Sequence, residues 1–151
     1  MNEVEHVGFT GTRLGVSHKQ GYALRNVLAE LKADGAVWFH HGDCIGADVD
    51  AHIIAKALGY KVHVHPPSDG MYHACVSDFD WGEKPAPYMV RNQVIVDMCA
   101  ILIACPEEDP VMLSSGLVNT QRSGTWSTVR KAERKNIPRV IVYADGTVEH
   151  E

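Results

Sequence analysis

The segment Phe39–His52, FHHGDCIGADVDAH, concentrates the side chains of this chain best suited to chemistry. Two carboxylates near its turn (Asp43 and Asp48), one thiol (Cys44) and three histidines (His40, His41 and His52) lie close together in it. Gly42 and Gly46 frame a turn between an apolar run and a helix. Free N–H groups and the helix dipole favour an anion at such a place. Asp48 follows Ala47 in the first helical turn, where a carboxylate also interacts well with the dipole and caps the helix. Asp43 has no such structural role. A carboxylate in a crevice suits sugar hydroxyls, as acids do in nucleotide-binding folds.

Two further loops carry compatible chemistry. In FTGTR, Gly11 allows a tight turn and close backbone approach. Thr12 offers a hydroxyl, and Arg13 a bidentate cation for phosphate or carboxylate. In SGTWST, Ser123, Gly124, Thr125, Ser127 and Thr128 crowd a helix start around Trp126. Hydroxyls and bare amides at a helix N-terminus make an anion site, beyond the single cap that a helix needs. The expected division of labour gives phosphate to this loop and the sugar to Asp43.

Competing chemistries have weaker support. His63 and His65 alternate along a strand and share a face, and His73 and Cys75 follow. No HExxH, CxxC or standard zinc spacing accompanies them, so the expectation is no metal and no cofactor. Asp48 and His52, one helical turn apart, are spaced to pair with each other. Cys44 beside His41 has the residue types of an activated thiolate but no partner geometry, and a buried inert thiol explains it as well. Trp126, Trp81 and Tyr88 are large enough to stack a base or simply to fill a core.

The elements that must position these loops follow from periodicity. HVGFTG, AVWFHH, KVHVHPP, AILIACP and PRVIVYA are short, nearly continuous apolar runs, predicted as buried strands. Between them lie helical patterns. The first is capped by Ser17 and closed by Gly35, the second runs from Ala47 to Leu58 and stops at Gly59, the third opens after Pro87, and the last is a basic helix from Gly124. That helix carries Arg130, Lys131, Arg134 and Lys135, read as a solvated face. Residues 66–87 and 107–123 are long irregular segments, and loops of such length tend to be functional. The pattern predicts an α/β, Rossmann-like parallel sheet of about five strands with helices on both faces, as one domain over residues 1–151. Ligands of such sheets bind at the C-terminal edge of the strands, at the switch in strand order.

The bulk numbers narrow the partners. Hydrophobic residues at 45% and charged residues at 22% are ordinary for a globular protein. A formal net charge of −5 argues against a general nucleic-acid or anionic-membrane binder. There is no signal-peptide layout, no membrane-length apolar run, and four cysteines without a paired motif. The expectation is a cytoplasmic protein with reduced thiols.

Four motifs in order resemble the SLOG superfamily: Thr10-Gly11-Thr12-Arg13, His41-Gly42 with Gly46-Ala47-Asp48, Arg91-Asn92, and Gly124-Thr125. That group includes the Lonely Guy phosphoribohydrolases and the DprA DNA-processing proteins, and the chain looks most like its small uncharacterised bacterial and phage members. The resemblance implies a nucleotide-binding domain, a phosphorylated nucleoside or related small molecule as partner, and a homo-oligomer. It also suggests a catalytic role for Arg91, similar in position to the arginine of the Lonely Guy enzymes; Asp43 or Asp48 would have to stand in for their acid, and Asp43 is the one expected to. The glutamate of those enzymes falls here on Ser127, which supplies no carboxylate. The expected function is therefore binding of a nucleotide-derived molecule, as a sensor or sequestering module. The alternative is an N-glycosidase acting on a nucleoside monophosphate. DNA handling ranks below both.

Overall fold

The computed structural model describes residues 4–107 and 123–151 of the chain. Its core is a seven-stranded sheet in the order β4-β3-β2-β1-β5-β6-β7. The five strands expected from apolar runs are β1 (His6–Gly11), β2 (Trp38–His41), β3 (Lys61–Val64), β5 (Ile101–Cys105) and β6 (Arg139–Val142). All five run parallel. Two short edge strands complete the sheet. β4 (Trp81–Gly82) pairs parallel with β3, and β7 (Val148–His150) folds back antiparallel on β6. Both are exposed, so neither has the apolar run by which a buried strand announces itself.

Among the described residues four α-helices cover the sheet: α1 (His18–Ala33), α2 (Ala47–Ala57), α3 (Tyr88–Met98) and α4 (Gly124–Arg134). One face buries Val7, Phe9, Phe39 and Ile103 beneath Leu24 and Leu28 of α1 and Ala51 and Ala55 of α2. The other packs Leu102, Ala104 and Ile141 against Val96 of α3 and Val129 and Ala132 of α4. The alternation of side chains along each strand supplies both faces. Ser17 caps α1 in a full capping box with Gln20. Gln20 is itself buried and donates to the carbonyls of Pro106 (2.9 Å) and Val142 (2.8 Å), tying α1 to the ends of β5 and β6.

The strand order places the site. From β1 the chain steps outward through β2, β3 and β4, then returns to lay β5 on the other side of β1. The switch lies between β1 and β5, and a crevice opens beyond their C-terminal ends. The irregular segment after β3 is pinned there. It holds a 3-10 turn at Gly70–Tyr72 and isolated bridges from Cys44 to His73 and Pro67 to Ala86. The other long segment falls on 108–122, outside the described residues.

Candidate functional site

A cavity of about 680 Å³ occupies this crevice. The end of β1 contributes Gly11, Thr12 and Arg13, and the loop after β2 contributes Gly42, Cys44 and Asp48. The start of α3 brings Tyr88, Arg91 and Asn92, and the start of α4 brings Ser123, Gly124, Thr125 and Trp126. Four segments distant in sequence thus share one wall. Of the residues of the loop motifs expected to bind the ligand, Asp43, Gly46, Ala47, Ser127 and Thr128 do not line it.

Asp43 is placed differently from the sequence reading. Its backbone adopts φ 52°, and its buried carboxylate turns away to accept from His73 Nε2 (2.7 Å) and the Val76 amide (3.0 Å). Its carbonyl accepts from the Ala74 amide at 2.8 Å. Asp43 anchors the 66–86 segment. Asp48, like Glu107, brings a carboxylate to the cavity wall, and Asp48 is the buried one. Burial pushes its pKa up to about 6, opposed by the Arg91 charge and by the amides of Cys44 and Gly42. Its Oδ2 accepts from the Cys44 amide at 3.1 Å. Asp48 does not pair with His52, which meets His41 (2.9 Å) and Asp78 (2.6 Å) instead.

The turn itself is not an open anion nest. The amide of Asp43 donates to His41 Nδ1, that of Cys44 to Asp48, that of Ile45 to the Tyr72 carbonyl and that of Ala47 to the Thr12 carbonyl. These internal bonds consume donors that the sequence pattern assigns to an anion. Gly46 takes φ 97° to make the turn, and a Cβ there would strike the Arg13 backbone. Cys44 is no activated nucleophile, because burial raises its thiol pKa, reinforced by Asp48 and only partly offset by Arg91.

The cations are arranged around aromatic rings. Arg13 lies over the Tyr72 ring, its Cζ 3.9 Å from the centroid, and lines the cavity. Arg91 is 6% exposed. Its Nη1 donates to the carbonyls of Gly42 and His65, and both Nη atoms approach the Cys44 sulfur. Its Nε, and the hydroxyl of Tyr88, are buried with no hydrogen-bond partner among the described residues. Two buried donors left open in one cavity wall cost stability unless something fills them.

At α4, Ser123 caps the helix by accepting from the Trp126 amide at 3.1 Å. The amides of Gly124 and Thr125 have no intrahelical acceptor and stand at the cavity's edge. Ser127, which the sequence resemblance aligns with a glutamate, accepts from Lys131 Nζ (3.2 Å). Lys131 is therefore not solvated: it is 4% exposed, and desolvation lowers its pKa. Its partner Ser127 could not be inferred without the fold, although the i, i+4 spacing permits the contact.

No protein-family model and no curated protein sequence matches the chain. Solved structures do match in fold. The molybdenum cofactor binding protein of the phototrophic bacterium Rippkaea orientalis superposes with TM-score 0.67 at 18% identity, over 95% of this chain and 78% of that one. The molybdenum cofactor carrier protein of Chlamydomonas reinhardtii gives 0.60 at 17%, over 90% and 74%. DNA processing protein A of Streptococcus pneumoniae gives 0.64 at 17%, and this chain spans 49% of its length while 90% of this chain is covered. At these identities the likeness is one of fold, a Rossmann-like α/β architecture. The expected α/β architecture, with its mostly parallel sheet flanked by helices, is the one observed. Among the described residues no helix is long and apolar enough to cross a membrane.

Proposed function

We propose that the cavity binds a phosphorylated, nucleotide-derived small molecule and holds it without turning it over. The observation that carries this reading is a pair of buried donors, Arg91 Nε and Tyr88 Oη, without a partner among the described residues, in the wall of a cavity of about 680 Å³. A cavity of that size suits a nucleotide-sized ligand. In the proposed pose the Gly124 and Thr125 amides and Arg13 hold the phosphate, and Asp48 accepts from the sugar hydroxyls. Arg91 and Tyr88 complete the polar contacts, and Trp126 offers a face for a ring. Neighbours in fold that are named for binding or carrying the molybdenum cofactor support a small-molecule role of this kind. The reading keeps the chain as a single domain in the cytoplasm, and as a homo-oligomer.

The test is native mass spectrometry of the purified chain, followed by equilibrium dialysis against nucleoside monophosphates and their derivatives. Retained phosphorylated ligand, lost on Arg91→Ala or Arg13→Ala, is the expected result. No retention by the wild-type chain at millimolar ligand overturns the proposal.

One observation favours the second reading, an N-glycosidase. A cavity carboxylate with its pKa raised to about 6 can exchange a proton near neutral pH, beside a guanidinium. If that reading holds, free base accumulates from a nucleoside monophosphate, and Asp48→Asn lowers the rate by about a hundredfold or more. Base release at the rate of the enzyme-free control removes it.

A further inference from the structure

The sheet face opposite α1 and α2 carries a second cluster. His40 of β2 is in register with His63 of β3, and His65 lies two residues further along the same strand direction, on the same face. Gly8, the register partner of His40 on β1, packs there against Ile95 and Cys99, so this is the face that α3 covers. His40, His63 and His65 are all buried, and one ring nitrogen from each lies within 4.8 Å of those of the other two. His40 Nδ1 and His65 Nε2 are 2.9 Å apart. The His63 and His65 rings stack with centroids 4.5 Å apart.

The outward nitrogens of two rings are already engaged. His63 Nε2 meets Glu83 Oε1 at 2.9 Å, and His40 Nε2 meets His6 Nδ1 at 2.9 Å. These contacts match the outer partners that orient metal-binding imidazoles: one ring nitrogen is held by a carboxylate or other acceptor, and the second is turned inward. His40 Nδ1 and His65 Nε2 share one hydrogen bond, whose proton a metal ion would displace. Elsewhere on this face the sheet is filled by Leu102, Ala104 and Ile141. Three imidazoles are a poor choice for packing alone, since each brings a polar nitrogen that must be satisfied.

We infer that His40, His63 and His65 bind a borderline divalent transition-metal ion, of which Zn²⁺ is the type, through three neutral imidazoles. The donor set is all nitrogen. It therefore disfavours Mg²⁺ and Ca²⁺, which take oxygen ligands, and suits Zn²⁺, Ni²⁺ or Cu²⁺. Two tryptophans report on the site. The ring of Trp38 lies 6.1 Å, and that of Trp81 6.5 Å, from the ring of His63.

The full chain, stripped with a chelator, is titrated with Zn²⁺ and, separately, with Cu²⁺ as a paramagnetic quencher. The expected result is one Zn²⁺ retained per chain through gel filtration, a Tm that rises with Zn²⁺ concentration, and Cu²⁺ quenching of tryptophan emission. His63→Gln and His65→Gln lose retention, whereas the exposed-site variants His18→Gln and His150→Gln keep it. Glu83→Gln, which leaves the ligands and their packing in place, weakens binding by about tenfold or more. Failure of the wild-type chain to retain Zn²⁺ overturns the inference. So does retention that survives in His65→Gln or disappears in His150→Gln. If the histidine variants do not fold in the presence of chelator, Glu83→Gln decides: affinity equal to wild type overturns the assignment.

Discussion

Two aspartates five residues apart have opposite assignments. Asp43 sits at φ 52°, and that left-handed backbone aims its side chain at His73 and Val76. Asp48 is helical, and its carboxylate lies over Gly42 in the cavity wall. No periodicity distinguishes them in the sequence, because the direction of a single turn residue depends on the contacts that hold it. The chemistry of the pair was legible and its division was not. The difference is measurable. Asp43→Asn weakens the anchor of the 66–86 segment, and the expected outcome is faster limited proteolysis there with ligand retention preserved. Asp48→Asn leaves proteolysis unchanged and weakens retention. The reverse pattern contradicts the placement. Gly42 marks the same wall. A Cβ there would collide with the Arg91 guanidinium and lie 3.1 Å from Asp48 Oδ2. Gly42→Ala is expected to cost about 1–3 kcal/mol in denaturant unfolding, the ordinary range for overpacking. It should also lower ligand affinity by displacing Arg91.

At the scale of elements, the helix starts are what place donors at the cavity. Ser123→Ala removes the acceptor for the Trp126 amide, and loss of such a cap typically costs about 1 kcal/mol. If α4 also holds a phosphate, the same variant loosens ligand binding through fraying of the first turn, with a raised Kd in calorimetry. An unchanged Kd would separate the cap from the site. The helices and five long strands were readable because each buries one stripe or a continuous apolar run. β4 and β7 were not, since their two and three residues are exposed and owe their pairing to the edges they meet. The shared face of His63 and His65 was readable from alternation. Their meeting with His40 depends on the β2–β3 register, which alternation does not supply.

For the whole molecule, buried histidines make stability a function of pH. Burial, with neighbouring imidazoles, lowers the pKa of His40 to about 2 and of His65 to about 3. His41 falls to about 3, with His52 and Arg91 adding to burial and Asp78 opposing it. An unfolded histidine titrates at about 6.5. The stability these groups contribute is therefore fully present above pH 6.5 and is lost as pH falls below it, because the unfolded chain takes up protons that the folded chain refuses. Asp48 works in the other direction. Its folded pKa of about 6 exceeds the ordinary 3.8, so the folded state binds a proton first and gains stability as pH falls from 6 towards 4. Near pH 5, three histidine protons less one aspartate proton leave a net uptake of about two on unfolding, to which His63, shifted in the same direction by burial, adds. That corresponds to a loss of about 3 kcal/mol per pH unit, large against a typical domain stability of about 5–15 kcal/mol. Denaturant unfolding of the chelator-stripped chain at half-unit steps from pH 7.5 to 4.5 should show a plateau above 6.5 and then this decline. Asp48→Asn removes the opposing proton, so the same series in that variant should fall more steeply, by about three protons. A wild-type curve that stays flat between pH 6.5 and 5, or a variant with the shallower slope, would mean that the histidines are protonated within the fold.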